Sequence, residues 1–265
     1  MTLAGAHPDA DLLEIFWVPG CSSCLRMKEF VNKIGIPHEA VNAEAEPERA
    51  ARLADLGLTV PAAVLGDVGV PGVDLVGIAK LVGYPYDPPQ ILPPGELKAK
   101  YDEVVDIAGA LMRSLTAAQL DYKSEDRDRS MRQLSVHIGT IMCGFVIVED
   151  TNEFTMGYEF IPPGYAESAS AAELADLLDR TRGEFDIWWQ RIGFDDPFDR
   201  IVDSPTGVWT LHEALERAVW HTAQHVRQLE YFVVEKFRVA PEKRLTAELL
   251  AGLPLPDGIH AGGEG

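Results

Sequence analysis

Basic residues are scarce in this chain. Its 23 Lys and Arg stand against 42 Asp and Glu over 265 residues, a formal net charge of −19. A protein that grips a phosphate backbone needs a basic footprint, so the balance argues against a nucleic-acid partner. The excess is not an acidic tail: residues 1–90 hold 6 basic and 12 acidic side chains, and the remainder hold 17 and 30. Cysteine is scarcer still, and three are too few for a disulfide scaffold. No apolar run approaches the ~20 residues that cross a bilayer, so no membrane span is expected. Met1–Asp11 lacks the basic and apolar regions of an export signal, which sets the expected location as cytoplasmic. At 46% hydrophobic and 25% charged, the composition excludes wholesale disorder. At roughly 150 residues per domain, the length predicts about two domains.

Two regimes follow along the chain. Up to about Gly83, short apolar runs alternate with short helical patterns. Strands are expected at Leu12–Val18, Glu39–Val41, Ala62–Leu65 and Val68–Val70, the last two as a hairpin around Gly66-Asp67. Helices are expected at Ser23–Ile34, Pro47–Leu56 and Leu75–Val82, so residues 1–83 read as an α/β layer domain. Residues 84–95 then carry five prolines in twelve positions. Proline removes backbone donors and fixes φ, so this stretch reads as a stiff linker. Beyond it, Glu96–Ala118, Arg127–Glu149, Ser170–Ile192 and Val208–Phe237 repeat apolar residues at three- and four-residue spacing. Ser170 and Glu173 form a capping-box pattern. Residues 96–240 are therefore expected to be an all-α four-helix bundle. Asp150–Gly164 reads as an irregular excursion between helices, and the Pro/Gly-rich residues 241–265 as a partly ordered tail.

Cys21-Ser-Ser-Cys24 falls between a strand and a helix. The helix N-terminus stabilises a thiolate at Cys21, and Cys24 stands close enough to resolve a mixed disulfide. The same spacing can be half of a zinc site, but that needs a second Cys/His pair, and His38 stands alone in this domain. Over residues 11–83 the sequence resembles the glutaredoxins. The likeness is carried by Cys21-Ser-Ser-Cys24, Lys28 and Phe30, Gly35-Ile36-Pro37, Thr59-Val60-Pro61 and Pro71-Gly72-Val73-Asp74. It implies a thioredoxin-like fold and thiol–disulfide exchange through Cys21. It further implies a cis proline at Pro61 facing the cysteine, a thiol substrate paired with the backbone at Val60, and a thiol carboxylate held at Gly72 and Asp74. Two positions depart from the family: Ser-Ser stands where Pro-Tyr is common, and Pro71 replaces the first of two paired glycines. A low-molecular-weight thiol such as glutathione or mycothiol is thus expected, its identity open.

His221 and His225 lie four residues apart in a helical run and share one face. Two imidazoles so placed can bind one metal ion. Gln228 falls on the same stripe, whereas His212, nine positions before His221, faces away. A third ligand must come from another helix, and His137 is the candidate. Spacing alone leaves open a chance HxxxH and a hydrogen-bonded core histidine at 137. Trp220-His221-Thr-Ala-Gln-His225-Val-Arg-Gln228 resembles the last helix of the DinB/YfiT-like bundle superfamily, and Arg132–Ile138 its second helix. The likeness covers residues 96–237 and implies that His137, His221 and His225 bind a divalent metal, zinc most plausibly. It also implies thiol-dependent isomerase or S-transferase activity in some members, and a possible homodimer.

Cys143, about 120° from His137 around the helix, reads as a small buried hydrophobe. Trp188-Trp189 and Tyr231-Phe232 read as core, with Trp188 a possible cavity wall. Glu149, Asp150 and Glu153 read as a solvated face, and Asp195-Asp196 as turn chemistry. His7, His38 and His260 carry no assigned role. The expected function is a metal-dependent enzyme acting on a small thiol or thiol adduct, by S-transfer, thiol-assisted isomerisation or reductive removal of a sulfur substituent, coupled to a CxxC exchange domain. Two alternatives stand beside it: a thiol–disulfide oxidoreductase whose bundle binds clients or dimerises, and a soft-metal trafficking protein.

Overall fold

The computed structural model describes residues 12–124, 128–155, 157–204 and 207–259. Met1–Asp11, His7 and His260 lie outside them. The chain divides into two compact units, one formed by residues up to Pro89 with those from Pro256 onward, the other by Gln90–Leu255.

In the first unit, β1 (Leu13–Trp17) is followed by α1 (Ser22–Lys33), β2 (His38–Asn42), α2 (Pro47–Ala50), α3 (Arg52–Asp55), β3 (Ala62–Leu65), β4 (Val68–Pro71) and α4 (Leu75–Leu81). The sheet order is β2-β1-β3-β4. β1 and β2 are parallel, with Ile15 opposite Ala40, while β3 and β4 are antiparallel to their neighbours. Side-chain alternation splits the buried residues between two faces. Leu13, Ile15 and Ala63 pack with Met27, Val31 and Ile78, whereas Phe16, Ala62 and Val64 pack with Val41 and Leu53. A sheet covered on both faces explains why β1 is apolar except at Glu14, which pairs with Arg49 and Arg52. The unit is thioredoxin-like. The helix expected over 47–56 is split: Ala51 N–H closes on Pro47 O, but Ala54 N–H closes on Ala51 O, a tighter three-residue turn.

The second unit contains α5 (Pro94–Arg113), α6 (Ala117–Leu120), α7 (Met131–Val146), α8 (Val148–Thr151), α9 (Tyr165–Ser168), α10 (Ala171–Trp188), β5 (Ile201–Ser204), β6 (Gly207–Thr210), α11 (Leu211–Tyr231) and α12 (Ala247–Leu250). The long helices α5, α7, α10 and α11 pack on one another as a four-helix bundle. Capping boxes at Ser130/Gln133, Ser170/Glu173 and Thr210/Glu213 fix the starts of α7, α10 and α11. Each satisfies two of the backbone donors that a helix start leaves open.

Several expectations need correction. The helix expected over 127–149 begins at Met131, because Ser130 caps it, and gives way to the separate turn α8. The helix expected over 208–237 begins at Leu211. Residues 207–210 instead pair with 201–204 as an antiparallel hairpin, which the helical period of Val208–Phe237 concealed. The Pro-rich stretch is not all linker. Tyr86 packs edge-on against Phe30 at 4.8 Å within the first unit, while Ile91 and Leu92 join the bundle core. Helix α5 starts at Pro94, where a missing N–H is harmless and φ is already helical. Residues 241–255 are not a loose tail. Leu249 and Leu253 are 9% and 8% exposed in the bundle core, and Glu230 holds the segment through Arg244 Nε at 3.2 Å and Leu245 N–H at 2.8 Å. Asp257 and Gly258 belong to the first unit, donating their N–H groups to the Glu29 carboxylate at 2.7 and 2.8 Å.

One stretch, Met131–Thr151, is long and apolar enough to cross a membrane, contrary to the reading of short apolar runs, and 83% of its most apolar window is buried. Its composition is that of a bundle's central helix, hydrophobic on all sides because helices surround it.

Candidate metal centre and cysteine pair

Helix α11 aligns Arg217, His221, His225 and Gln228 on one stripe, and α7 brings His137 to meet it. The three histidines offer ligand nitrogens that all lie within 4.8 Å of one another. Their rings stand 4.5–5.1 Å apart between helices, centre to centre, and 4.6 Å within α11. His221 Nε2 faces His225 Nε2 at 2.9 Å. Two imidazole nitrogens so close cannot both present lone pairs unless a proton or a cation lies between them. Nitrogens bound at about 2.0–2.1 Å to a tetrahedral ion stand about 3.3 Å apart, so a small closure or opening suffices to admit one. The donor set fits a divalent ion of the zinc class: buried, imidazole-only and convergent from two rigid helices.

Partner groups orient the rings. His225 Nδ1 donates to Gln228 Oε1 at 2.8 Å, which directs its Nε2 lone pair toward His221. Arg129 Nη2 donates to the same Gln228 oxygen at 3.2 Å. The Tyr158 hydroxyl is bonded to His137 Nδ1, and its ring stacks on that imidazole at 5.4 Å. Such contacts fix tautomer and ring angle. Burial pushes the pKa of His221 well below its ordinary value, with Arg217, the other two histidines and Arg129 adding to the effect. Burial likewise lowers His225, followed by His137, Arg129 and Arg217, against a smaller opposing effect of Gln228. Both rings are thus neutral at pH 7, the state a ligand requires.

Tyr158 sits half-exposed on a short 3-10 turn, Tyr158–Phe160, at the site's edge. The chain reaches it by crossing α7 at two glycines. A Cβ on Gly144 would lie 1.9 Å from Thr155 O, and one on Gly157, where φ is +72°, would lie 2.3 Å from Thr140 O. Only glycine permits this approach. Tyr158 and Arg129 escaped the sequence reading, because neither shares a helical stripe with the histidines. Gln228 was legible as a stripe member but not as the partner of His225.

The cysteine pair has its own geometry. Cys21 is the N-cap of α1, its sulfur accepting from Cys24 N–H at 3.1 Å, and the two are disulfide-bonded with Cα atoms 5.2 Å apart. Cys21 is partly exposed and Cys24 fully buried, the asymmetry an attacking and a resolving thiol need. Val60-Pro61 is cis. Gly72 N–H donates to Pro61 O at 2.7 Å, and a Cβ on Gly72 would meet Met27 Sδ at 2.5 Å and Pro61 Cβ at 2.6 Å. Pro61 and Gly72 are thereby packed onto α1 one turn beyond Cys24. Asp74 is exposed, but its Oδ1 accepts from Gly77 N–H at 2.7 Å as the cap of α4, and its own N–H donates to Pro71 O at 3.0 Å.

The remaining candidates are structural. Cys143 is buried, 3.1 Å from Thr181 Oγ1, and burial raises its thiol pKa. Trp188 is packed among Phe145, Phe185 and Phe198. His212 Nε2 donates to Leu92 O and His38 Nδ1 to Ile36 O, both at 2.8 Å. Glu149 pairs with Arg200 at 2.6 Å, and Asp196 Oδ1 accepts from Phe198 N–H in a tight turn.

Comparison with known proteins agrees with this division. Residues 13–70 match the family model described as glutaredoxin, and residues 101–229 the model described as the DinB superfamily. Among solved structures, YfiT from Bacillus subtilis, described as a probable metal-dependent hydrolase with an unusual four-helix bundle topology, is 19% identical with a TM-score of 0.45. The match covers 59% of this chain and 96% of that one. No curated protein matches the chain. The chain is thus similar to the glutaredoxins over residues 13–70 and to the DinB superfamily over residues 101–229.

Proposed function

We propose that this protein is a metal-dependent enzyme acting on a small thiol or thiol adduct, with His137, His221 and His225 as the ligands of a divalent ion, zinc by preference. The observation that carries the reading is the convergence of three buried imidazoles with His221 and His225 facing nitrogen to nitrogen. Three protein ligands leave a coordination position open, as catalytic sites do. A divalent ion held there supplies the positive charge that lets a thiol lose its proton at neutral pH. Gln228 and Tyr158 hold the His225 and His137 rings in the ligating orientation, and burial keeps His221 and His225 neutral.

The glutaredoxin domain serves the same thiol chemistry. Reduced Cys21 attacks a mixed disulfide, forming a Cys21–S–S–R bond and releasing the other half as thiolate. Cys24 then attacks the Cys21 sulfur, expels RS⁻ and closes the Cys21–Cys24 disulfide. A pair of external low-molecular-weight thiols returns two electrons to reopen it. Val60, Pro61, Gly72 and Asp74 are the proposed contacts of that thiol, Asp74 with its carboxylate already engaged in capping α4. S-transfer, thiol-assisted isomerisation and reductive desulfurisation all remain within this class. A cytoplasmic location and homodimerisation accompany the proposal.

Metal content and turnover test the reading together. Purified protein is expected to hold one first-row ion per chain, and His221→Ala to lose both the ion and thiol-dependent turnover. Protein without metal, or full turnover in His221→Ala, would falsify it. Metal transfer to an acceptor without any turnover would favour the trafficking alternative. Turnover dependent on Cys21 alone would favour a plain oxidoreductase.

A further inference from the structure

Residues 256–259 lie along the outer stripe of the helix that carries the reactive cysteine, within the first unit. Residues four apart share a helical face, so Leu25 and Glu29 follow Cys21 at one and two turns. The Leu25 N–H closes on Cys21 O at 3.0 Å. Met27, Phe30 and Val31 are buried against the sheet, whereas Leu25 and Glu29 are only partly buried. Asp257 and Gly258 donate successive N–H groups to the two oxygens of the Glu29 carboxylate, at 2.7 and 2.8 Å. The same backbone presses on Leu25: a Cβ on Gly258 would lie 3.3 Å from Leu25 Cδ2 and 3.2 Å from Glu29 Oε1. Pro256 is buried, and Gly258 and Ile259 are partly buried. A segment without regular structure is mobile unless something ties it down. Here one carboxylate takes both donors, in hydrogen bonds of the stronger, charge-assisted kind.

A cover one turn from the nucleophile discriminates by size. Cys21 is partly exposed, and a disulfide of a few atoms needs only that opening. A disulfide within a protein brings flanking chain that must rest on the surface around Cys21. At 1.5 Å of rise per residue, Leu25 stands about 6 Å along the helix from Cys21, inside such a footprint. We propose that residues 256–259 form a specificity-determining strap that keeps protein disulfides off Cys21 and leaves it to small-molecule disulfides. The inference rests on the exchange chemistry proposed for Cys21 and narrows its substrate class.

The test is a single-turnover measurement on the full chain, reduced beforehand and freed of reductant. It is mixed with bis(2-hydroxyethyl) disulfide or with insulin, and closure of the Cys21–Cys24 disulfide is followed by acid quench and alkylation. Closure oxidises the pair by two electrons while one substrate disulfide becomes two thiols. Glu29→Ala removes the acceptor, and Gly258→Pro removes one donor with Glu29 intact. In both variants the insulin rate is expected to rise about fivefold or more, the gain in open population when a charge-assisted hydrogen bond is lost. The rate with the small disulfide should stay as in the wild type, which also shows that each variant is folded. An unchanged insulin rate in the folded variants overturns the inference. An equal rise of both rates overturns it too, because the strap would then act on the thiol itself. Hydrogen exchange of the wild type decides independently of the variants. The amides of Asp257 and Gly258 should exchange at least about tenfold more slowly than those of an unstructured chain, and unprotected amides rule out the strap. A wild type that fails to react with the small disulfide is a separate failure, that of the exchange reading itself.

Discussion

Gln228 Oε1 accepts a hydrogen bond from His225 Nδ1 at 2.8 Å, which leaves Nε2 of that ring as its ligating atom. Removing the acceptor frees the ring to rotate and to exchange tautomers. Gln228→Leu is expected to weaken metal affinity about 10–100-fold, the usual cost of losing such a partner. Competition against a chelator of known affinity measures it. Wild-type affinity in this variant would show that helix packing alone orients His225.

Tyr158 plays the corresponding part for His137. Tyr158→Phe keeps the stacked ring and deletes only the hydroxyl. Metal affinity should fall about tenfold, while the melting temperature of the metal-free protein changes little, because the side chain is half-exposed. A large stability loss with unchanged affinity would place the hydroxyl in the fold rather than the site.

The depressed pKa values of His221 and His225 carry a sign for stability. Unfolded histidine titrates near 6.5, so below that pH the unfolded chain binds protons that the folded chain refuses. Stability of the metal-free protein is therefore fully present above about 6.5 and lost as pH falls through it. Thermal melts from pH 7.5 to 5.5 should show a steeper decline for the wild type than for His225→Gln. Parallel curves would contradict the neutral buried pair. Metal retention should fail over the same acid range, since protonation competes with ligation.

The three thiols should separate by reactivity. After the Cys21–Cys24 disulfide is reduced, a disulfide reagent such as DTNB should titrate Cys21 quickly. Cys143, buried against Thr181 with its pKa raised, should react only on unfolding. Rapid labelling of Cys143 in folded protein would put a third thiol back among the candidates.

Leu253→Ala is expected to destabilise the bundle by about 2 kcal/mol, the low end for a buried leucine, because residues beyond Pro241 close its core. Chemical denaturation of wild type and variant gives the difference. No change in midpoint would return the segment to the status of a tail.

The histidine triad was legible because two of its members share a helical stripe, a purely local pattern, and the third lay on a helix of matching character. The cysteine pair was legible from its place between strand and helix. What the sequence concealed was contact between distant segments. Tyr158 reaches His137 across 21 positions, and Arg129 reaches Gln228 across 99. The β5–β6 hairpin was absorbed into a helix because Val208 and Trp209 also fit a helical period. Residues 241–255, in a stretch rich in proline and glycine, looked only partly ordered. Two leucines and one buried glutamate were enough to anchor them.

Gly144 stands seven residues beyond His137, two turns along the same helix and far from any ligand role. Its missing side chain is nevertheless what lets Thr155 rest on α7 and bring Tyr158 onto the imidazole. A single methyl group at position 144 would collide with Thr155 O and push that crossing segment off α7, and with it the phenol, although position 144 is no ligand. The metal centre is therefore tunable at a distance, by an atom the protein does without.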